Sequence, residues 1–587
     1  MILTAVDWIV IVLYFVASVA IALLYSRRAG GSTEEYFLSG RALPWWLAGT
    51  SMVATTFAAD TPLVVTGLTV KYGIAGNWLW WSFLMSGMLT AILYARLWRR
   101  AGIMTDAEFA ELRYAGKPAA FLRGFRACYL ALAINSIIIG WVTAAMAKIL
   151  GLTLGVGKWQ ATVALFVLTA LYSTLSGLWG VIVTDFFQFV FAMAGCIALA
   201  WFALGAVGGM SGLLAALHAR FPDDAPLALV PDLHSAWMPA ITFFAYVAVN
   251  WWASWYPGAE PGGGGYVAQR IMSTRNERHA LLAALWFNIA HYALRPWPWI
   301  VVALASMVLY PGLEDPESGY VRVMVGILPP FWRGFLLAAF FAAYMSTIAT
   351  QLNWGASYLV NDVYRRFWRP DRTEAHYAGV GRLATLLMMV ISGVATFYIG
   401  SVEGAWKFLL AIGAGTGLVY LLRWYWWRIN AWSEVSAMAV ALVVSLVLQG
   451  VFGLNGDDPR GFAALLLITT AITTVAWLVV TFATAPEPPA TLRAFYARVR
   501  PGGPGWRAVV PGAETDGWIA RGLVQWAIGC VVVYLGLFGI GDVVLGRPVR
   551  GFATLLAGVA LTVYLVRSTG TTGGEASAAK SVGGGVV

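Results

Sequence analysis

Runs of about 20 apolar residues recur along nearly the whole chain, each long enough to cross the roughly 30 Å hydrocarbon core of a bilayer. Length and hydropathy mark about fifteen such spans, centred near Tyr14, Ala54, Leu84, Ile137, Leu165, Phe191, Tyr246, Tyr292, Met345, Met389, Leu410, Val443, Thr470, Val531 and Val559. With 60% of 587 residues hydrophobic and 11% charged, no soluble fold can hide the apolar surface. The expected class is an all-α polytopic membrane protein.

A net charge of +10 raises the question of nucleic acid, and the distribution of charge answers it. Basic residues cluster in alternate loops, at Arg27-Arg28, Arg96 to Arg126, Arg270 to Arg278, Arg365 to Arg372 and Arg493 to Arg507. Most intervening loops are neutral or acidic, such as Pro222-Asp223-Asp224 and Glu314-Asp315-Pro316-Glu317. This is the positive-inside pattern of a bilayer protein, with no nucleic-acid partner. It sets the N-terminus outside and, after an odd number of crossings, the C-terminus in the cytoplasm of a plasma (inner) membrane protein. Arg547 and Arg550 are a minor exception, in a short loop assigned outside. Asp7, rather than a basic stretch, precedes the first apolar run, so that run is expected to be a retained helix and not a cleaved leader. Cys128, Cys196 and Cys530 are isolated and read as buried free thiols.

Two spans are interrupted. The second contains Ala54 to Pro62, placing the Asp60 carboxylate and Pro62 at membrane depth. Burying that carboxylate costs at least a few kcal/mol without a partner or a watery cavity. Pro62 removes a donor and frees carbonyls one turn earlier, tolerable in a bilayer only where they line a cavity or bind something. The seventh span runs from Met238 through Asn250-Trp251-Trp252 to Tyr256-Pro257-Gly258 and Pro261, then Gly262 to Gly265. Five spans separate the two, and an odd offset inverts the second set. Interrupted helices at corresponding places in two inverted halves point to a transporter site, the alternative being ordinary Pro/Gly kinks. Gly262 to Gly265 lacks the ending of a phosphate loop and reads as a flexible hinge.

In the ninth span, Ser346, Thr347 and Thr350 either bond back to carbonyls four residues earlier or offer oxygens to an ion such as Na⁺. Asp185 is either a solvated carboxylate at a helix N-terminus or a cation waypoint. His291 and Arg295, four apart, share a helix face near mid-membrane. Arg295 either pairs with Asp60 or recognises an anionic, carboxylated solute. His291 either relays protons or simply packs. Trp424-Tyr425-Trp426-Trp427, flanked by Arg423 and Arg428, reads as an interfacial belt. No zinc motif and no nucleophile elbow is visible, so no enzyme is expected.

Several motifs together resemble the sodium:solute symporter family. They are Tyr36 to Trp45, Ser51 to Asp60, Tyr172 to Gly180 with Thr184-Asp185, Gln269-Arg270, Ala343 to Asn353, and Asn361-Asp362-Val363-Tyr364. The resemblance implies a LeuT-type five-plus-five inverted-repeat core of residues 42–208 and 236–428. Residues 1–30 would add one N-terminal helix, and 430–567 about four peripheral helices with a cytoplasmic connector at 485–517, before a disordered tail at 568–587. It also implies a Na⁺ site built from the carbonyls of Ala54, Phe57 and Ala343 and the hydroxyls of Ser346 and Thr347. A second Na⁺ or an exit path would use Asp185 and Thr350 with Ser346, although Ala349 stands where another hydroxyl would help. The family's sugar-carrying branch has a glutamine and a glutamate where Thr61 and Trp80 stand here, and His291 falls near its lysine. The implied solute is therefore not a sugar. Asp60, Thr61, Trp80, Asn250, His291 and Arg295 are the substrate-binding candidates. The function implied is Na⁺-coupled import of a small organic solute by alternating access. The alternatives are proton coupling through Asp60 or His291, and a non-transporting membrane sensor.

Overall fold

The computed structural model describes residues 3–29, 33–223, 225–256, 258–454, 456, 458–513 and 517–570. The side chains of Arg27, Arg28, Tyr36 and the 172–180 motif, together with Asp224, Pro257 and the tail after Gly570, lie outside the described residues.

The regular structure is helical: α1 (Ala5–Ala29), α2 (Trp45–Thr56), α3 (Thr61–Tyr72), α4 (Ile74–Ala101), α5 (Gly116–Leu154), α6 (Lys158–Ala206), α7 (Ala240–Ala253), α8 (Gly265–Met272), α9 (Glu277–Leu309), α10 (Trp332–Trp368), α11 (Glu374–Tyr398), α12 (Val402–Ile412), α13 (Gly417–Tyr425), α14 (Ala431–Gly450), α15 (Pro459–Ala483), α16 (Trp518–Val544) and α17 (Pro548–Gly570). Many starts are written locally. The side chains of Asn276, Thr373, Ser401 and Asn430 each accept a backbone N–H at the head of α9, α11, α12 and α14, and Asp458 does so before Pro459 in α15.

Among the described residues, ten helices are long and apolar enough to cross a membrane alone, and two bent pairs raise that to twelve. The fifteen-span expectation is thus met in part by this criterion. The spans expected around Tyr14 and Tyr246 fall on the shorter apolar segments Ala5–Ile21 and Ala240–Ala253. Those expected around Leu165 and Phe191 share the single helical element α6, of 49 residues. Its first part meets α11, with Trp159 on Phe397, and its second meets α10, with Phe202 near Trp332.

The pair α2–α3 lies at the centre, packed by α6, α9, α10 and α12. The most apolar window of α4 is 94% buried and that of α17 only 17%, so α4 belongs to the core and α17 to the rim. Along α17, the exposed Val549, Leu556 and Val559 present the apolar surface that lipid would cover.

Both expected interruptions are present, and a third appears. Helices α2 and α3 meet at 59°, and α7 ends at Ala253, well before α8 begins at Gly265. The span expected to run straight through Leu410 is instead bent by 49° between α12 and α13. Its cause is Gly413-Ala414-Gly415. A side chain at Gly413 would meet the Trp255 carbonyl at 2.8 Å, so only glycine lets the two backbones touch. There the Trp255 N–H donates to the Gly413 carbonyl (3.3 Å), and the Gly415 N–H donates to the Ala253 carbonyl (2.9 Å). The backbone groups freed by one break thus satisfy those freed by the other.

Candidate functional site

An α-helix leaves its last four carbonyls without intrahelical partners, which is a severe cost away from water. Where α2 stops, each of the four is met. Val53 accepts from Arg295 Nη1 (3.2 Å), Ala54 from the Phe57 N–H (3.0 Å), Thr55 from the Thr347 hydroxyl (2.8 Å) and Thr56 from the Thr61 hydroxyl (3.3 Å). The break is held by side chains from α3, α9 and α10.

Arg295 therefore serves the end of α2. Besides Val53, Nη1 donates to Thr56 Oγ1 (3.2 Å), and the guanidinium lies over the Trp299 ring at 5.3 Å. The expected Asp60–Arg295 ion pair is not formed among the described residues, because the carbonyls at the end of α2 claim the guanidinium first. Asp60 is buried at 3% exposure, and its Oδ1 has no hydrogen-bond partner there. The Trp406 indole N–H lies beside the Asp60 carboxylate without forming a well-aligned hydrogen bond to Oδ1. His291 sits on a π-helical turn, Ile289–Leu294, just before Pro296, which can neither donate nor fit a regular turn. Its Nε2 is 3.3 Å from Arg295 Nη2 and its Nδ1 is 2.9 Å from Thr56 Oγ1. Since arginine can only donate, Nε2 accepts and Nδ1 carries the proton, so His291 is neutral with both nitrogens engaged.

These residues open onto a cavity among α2, α3, α4, α5, α9, α10 and α12. Asp60, Thr61, Trp80, His291, Arg295 and Thr347 all line it, so five of the six substrate candidates are gathered. Asn250 does not line it. Tyr256, six residues further on, takes that place. Seven aromatic side chains line the wall: Trp80, Phe83, Trp141, Tyr256, Tyr266, Tyr292 and Trp406.

The Na⁺ candidates lie where α2 meets α10. Among the described residues, Ser346, Thr347 and Thr350 do not bond back along their own helix as the alternative reading had it. The Ser346 hydroxyl donates to Asp185 Oδ1 (2.5 Å), that of Thr347 to the Thr55 carbonyl, and Thr350 Oγ1 accepts from Arg270 Nη2 (2.8 Å). Each hydroxyl keeps a lone pair. Phe57 closes the end of α2 in a non-helical conformation, so its carbonyl leaves the helical direction. The Ala343 carbonyl lies within an unbroken helical stretch, where the i+4 amide uses one of its two lone pairs. The neutral oxygens of the set suit a weakly held monovalent ion.

Asp185 is not a solvated N-terminal carboxylate. It lies mid-helix in α6 with no exposure, taking the Ser346 hydroxyl on one oxygen and the Ser51 hydroxyl (2.5 Å) on the other. Arg270 of α8, equally buried, is 3.7 Å away. One carboxylate so ties α2, α6, α8 and α10.

Two further readings are corrected. Gly262 to Gly265 is buried and closely fitted, not a loose hinge. The Trp98 indole donates to the Gly262 carbonyl (2.8 Å), and a side chain at Gly263 (φ +83°) would meet that indole nitrogen at 2.9 Å. In the expected interfacial belt, Trp424 is fully buried against Trp98 and Phe109. Arg423 pairs with buried Glu434 (3.1 Å), which also takes Arg126 (3.1 Å) and the Tyr114 hydroxyl (2.6 Å).

Sequence reasoning missed Trp141, Tyr256, Tyr266, Gln351 and Trp406 as cavity residues. Two had a local signal: Gln351 stands one turn beyond Thr347 on the same face, and Tyr256 lies in the interrupted seventh span.

Comparison with known proteins accords with this geometry. The sodium:solute symporter family matches residues 36–441. A sodium/glucose cotransporter of Vibrio parahaemolyticus is 23% identical over 476 residues, covering 76% of this chain and 86% of that protein. The sodium/myo-inositol cotransporter 2 of Homo sapiens is 25% identical over 488 residues, covering 76% and 70%. A solved structure of a Na⁺-coupled sialic acid symporter, substrate-bound and outward-open, superposes with a TM-score of 0.68 at 18% identity, over 83% of this chain and 99% of that one. That likeness establishes the LeuT-type fold. With the match spanning all three breaks and the cavity among them, the chain belongs to the sodium:solute symporter family, Na⁺-coupled carriers of small solutes.

Proposed function

We propose that Na⁺ binds between α2 and α10 and the solute in the adjoining aromatic cavity, and that the two are imported together by alternating access. The carrying observation is Thr347, which both lines the cavity and bonds the Thr55 carbonyl across the two helices. Ion and solute then share one wall. Na⁺ uses the oxygens of Ala54, Phe57, Ala343, Ser346 and Thr347, inserting where the Thr347–Thr55 bond now closes the gap. Its binding favours one arrangement of the helices and lends coupling only through that difference in affinity. Asp185 and Thr350, joined through Arg270, form the ion's path beyond this site. Residues 42–208 and 236–428 are the two repeats that move against each other, and 430–567 form the rim. The basic loops set the N-terminus outside a plasma membrane.

Asp60, Thr61, Trp80, His291 and Arg295 meet the solute. Relatives are named for glucose, mannose and myo-inositol. Thr61 and Trp80 offer less to a ring of hydroxyls than the amide and carboxylate of sugar carriers, which favours a different solute, one with a carboxylate for Arg295.

The test is flux into proteoliposomes containing the purified protein. Solute accumulation driven by an inward Na⁺ gradient, with half-saturating Na⁺ raised by Ser346→Ala, is expected. Uptake indifferent to external Na⁺ would sink this reading.

A further inference from the structure

The cavity holds one carboxylate and one guanidinium that do not pair with each other. Asp60 is 3% exposed and Arg295 1%, both line the cavity, and no ion pair joins them among the described residues. Each also keeps a polar atom in hand. Asp60 Oδ1 and Arg295 Nε lack hydrogen-bond partners, although both are buried where each lost bond costs on the order of 1–3 kcal/mol or more. Arg295 is held at Nη1 by Val53 and Thr56, and Asp60 heads α3 without capping it. Arg295 cannot swing over to Asp60 without giving up its hold on the end of α2.

The choice of solute follows from charge and hydrogen-bond accounting. A neutral polyol keeps the site neutral but brings neither ionic group a counter-charge in direct contact. A simple carboxylate would answer Arg295 and add a second negative charge beside Asp60. A simple amine would do the reverse. A molecule carrying both charges gives each group a counter-charge of its own and leaves the site neutral overall. The remaining wall, with Trp80, Trp141, Tyr256, Tyr292 and Trp406, suits an apolar or aromatic body and adds ring faces that attract an ammonium.

We propose that the solute is a zwitterion, an amino acid or close analogue, whose ammonium is held by Asp60 and whose carboxylate is held by Arg295. This rests on the cavity being the solute site, as set out above. The ammonium meets the Asp60 carboxylate, and the solute's carboxylate meets the Arg295 guanidinium. The aromatic wall then sets the preferred side chain.

The experiment is a binding series on the purified full-length protein in Na⁺, read by thermal shift and by competition. It uses the common L-amino acids, β-alanine and γ-aminobutyrate. For the best binder it adds the N-acetyl derivative, which keeps only the carboxylate, and the methyl ester, which keeps only the ammonium. Galactose and lactate are the sugar and the simple anion. At least one zwitterion should bind, with both single-charge derivatives weaker by about 100-fold or more, because each strands a buried polar group. Asp60→Asn should lose the zwitterion while narrowing its disadvantage for the N-acetyl form, with apo thermal stability as the folding control. The derivative series on the unaltered protein stands even if that variant fails to fold.

Binding by no zwitterion, or by galactose or lactate in preference, overturns the proposal. So does an N-acetyl derivative that binds as well as its parent. A zwitterion that passes the series but whose uptake ignores the Na⁺ gradient would leave this inference standing and defeat the coupling reading. Na⁺-driven uptake of galactose alone would do the opposite.

Discussion

Arg270 and Asp185 face each other 3.7 Å apart with neither side chain exposed, and Ser51 stands between them, accepting from the guanidinium (3.1 Å) and donating to the carboxylate (2.5 Å). A buried pair of this kind contributes little net stability while intact and costs heavily when halved. Asp185→Asn is therefore expected to lower stability by about 3–5 kcal/mol, through the uncompensated charge on Arg270. Adding Arg270→Gln should return a substantial part of the loss. Thermal unfolding of the four proteins in detergent closes the cycle, and strictly additive single effects would rule the coupling out.

Thr347 and Ser346 differ in what they hold. Thr347→Ala removes the bond to the Thr55 carbonyl as well as an ion oxygen, while Thr347→Ser keeps both. We expect the alanine variants at 346 and 347 each to raise half-saturating Na⁺ by about tenfold, equivalent to roughly 1.4 kcal/mol, with Thr347→Ser near the parent value. Na⁺ titration of solute uptake decides it. An unchanged midpoint in both alanine variants would remove these hydroxyls from the ion site.

The glycine passage makes a sharp contrast between two substitutions. Gly263→Ala forces a positive φ on alanine and drives its methyl group into the Trp98 indole, so a loss of about 2–4 kcal/mol is expected from strain and overpacking together. Gly400→Ala meets nothing within 4 Å and should fall within about 0.5 kcal/mol of the parent. Equal melting temperatures for the two variants would show that the passage is loose after all.

Glu434 fastens α14 to the core through Arg126, Arg423 and the Tyr114 hydroxyl. Glu434→Gln leaves buried Arg423 without the carboxylate it pairs with and Arg126 with Asp106 alone (3.5 Å), and a loss of about 3–5 kcal/mol is expected. Tyr114→Phe removes one hydrogen bond and should cost about 1 kcal/mol. Comparable losses in the two variants, measured by thermal unfolding, would deny the carboxylate this central place.

The break at α2–α3 was legible because Asp60 and Pro62 contradict an apolar span, and local contradiction is what a sequence displays best. The groups that answer the break were not. Thr347 and Arg295 reach the Thr55 and Val53 carbonyls from helices hundreds of positions later, and nothing local distinguishes a hydroxyl aimed across helices from one bonded within its own. Arg270 was hidden by its neighbours, since Arg275 and Arg278 make the stretch look like one more basic loop. The cavity's aromatic residues were hidden by abundance: with 30 tryptophans in the chain, Trp141 and Trp406 carry no mark of their own. The bend between α12 and α13 was overlooked for the opposite reason. Glycine is common in membrane helices, and only the backbone lying against Gly413 and Gly415 shows why these two are needed.

That backbone contact has a mechanical consequence. Tyr256 follows the end of α7 and Trp406 rides on α12, and the hydrogen bonds of Ala253 with Gly415 and of Trp255 with Gly413 bind their supports together. The backbones that carry the two rings are therefore expected to move together. A molecule too bulky for either ring would then hold both away. Size is judged once, by the pair.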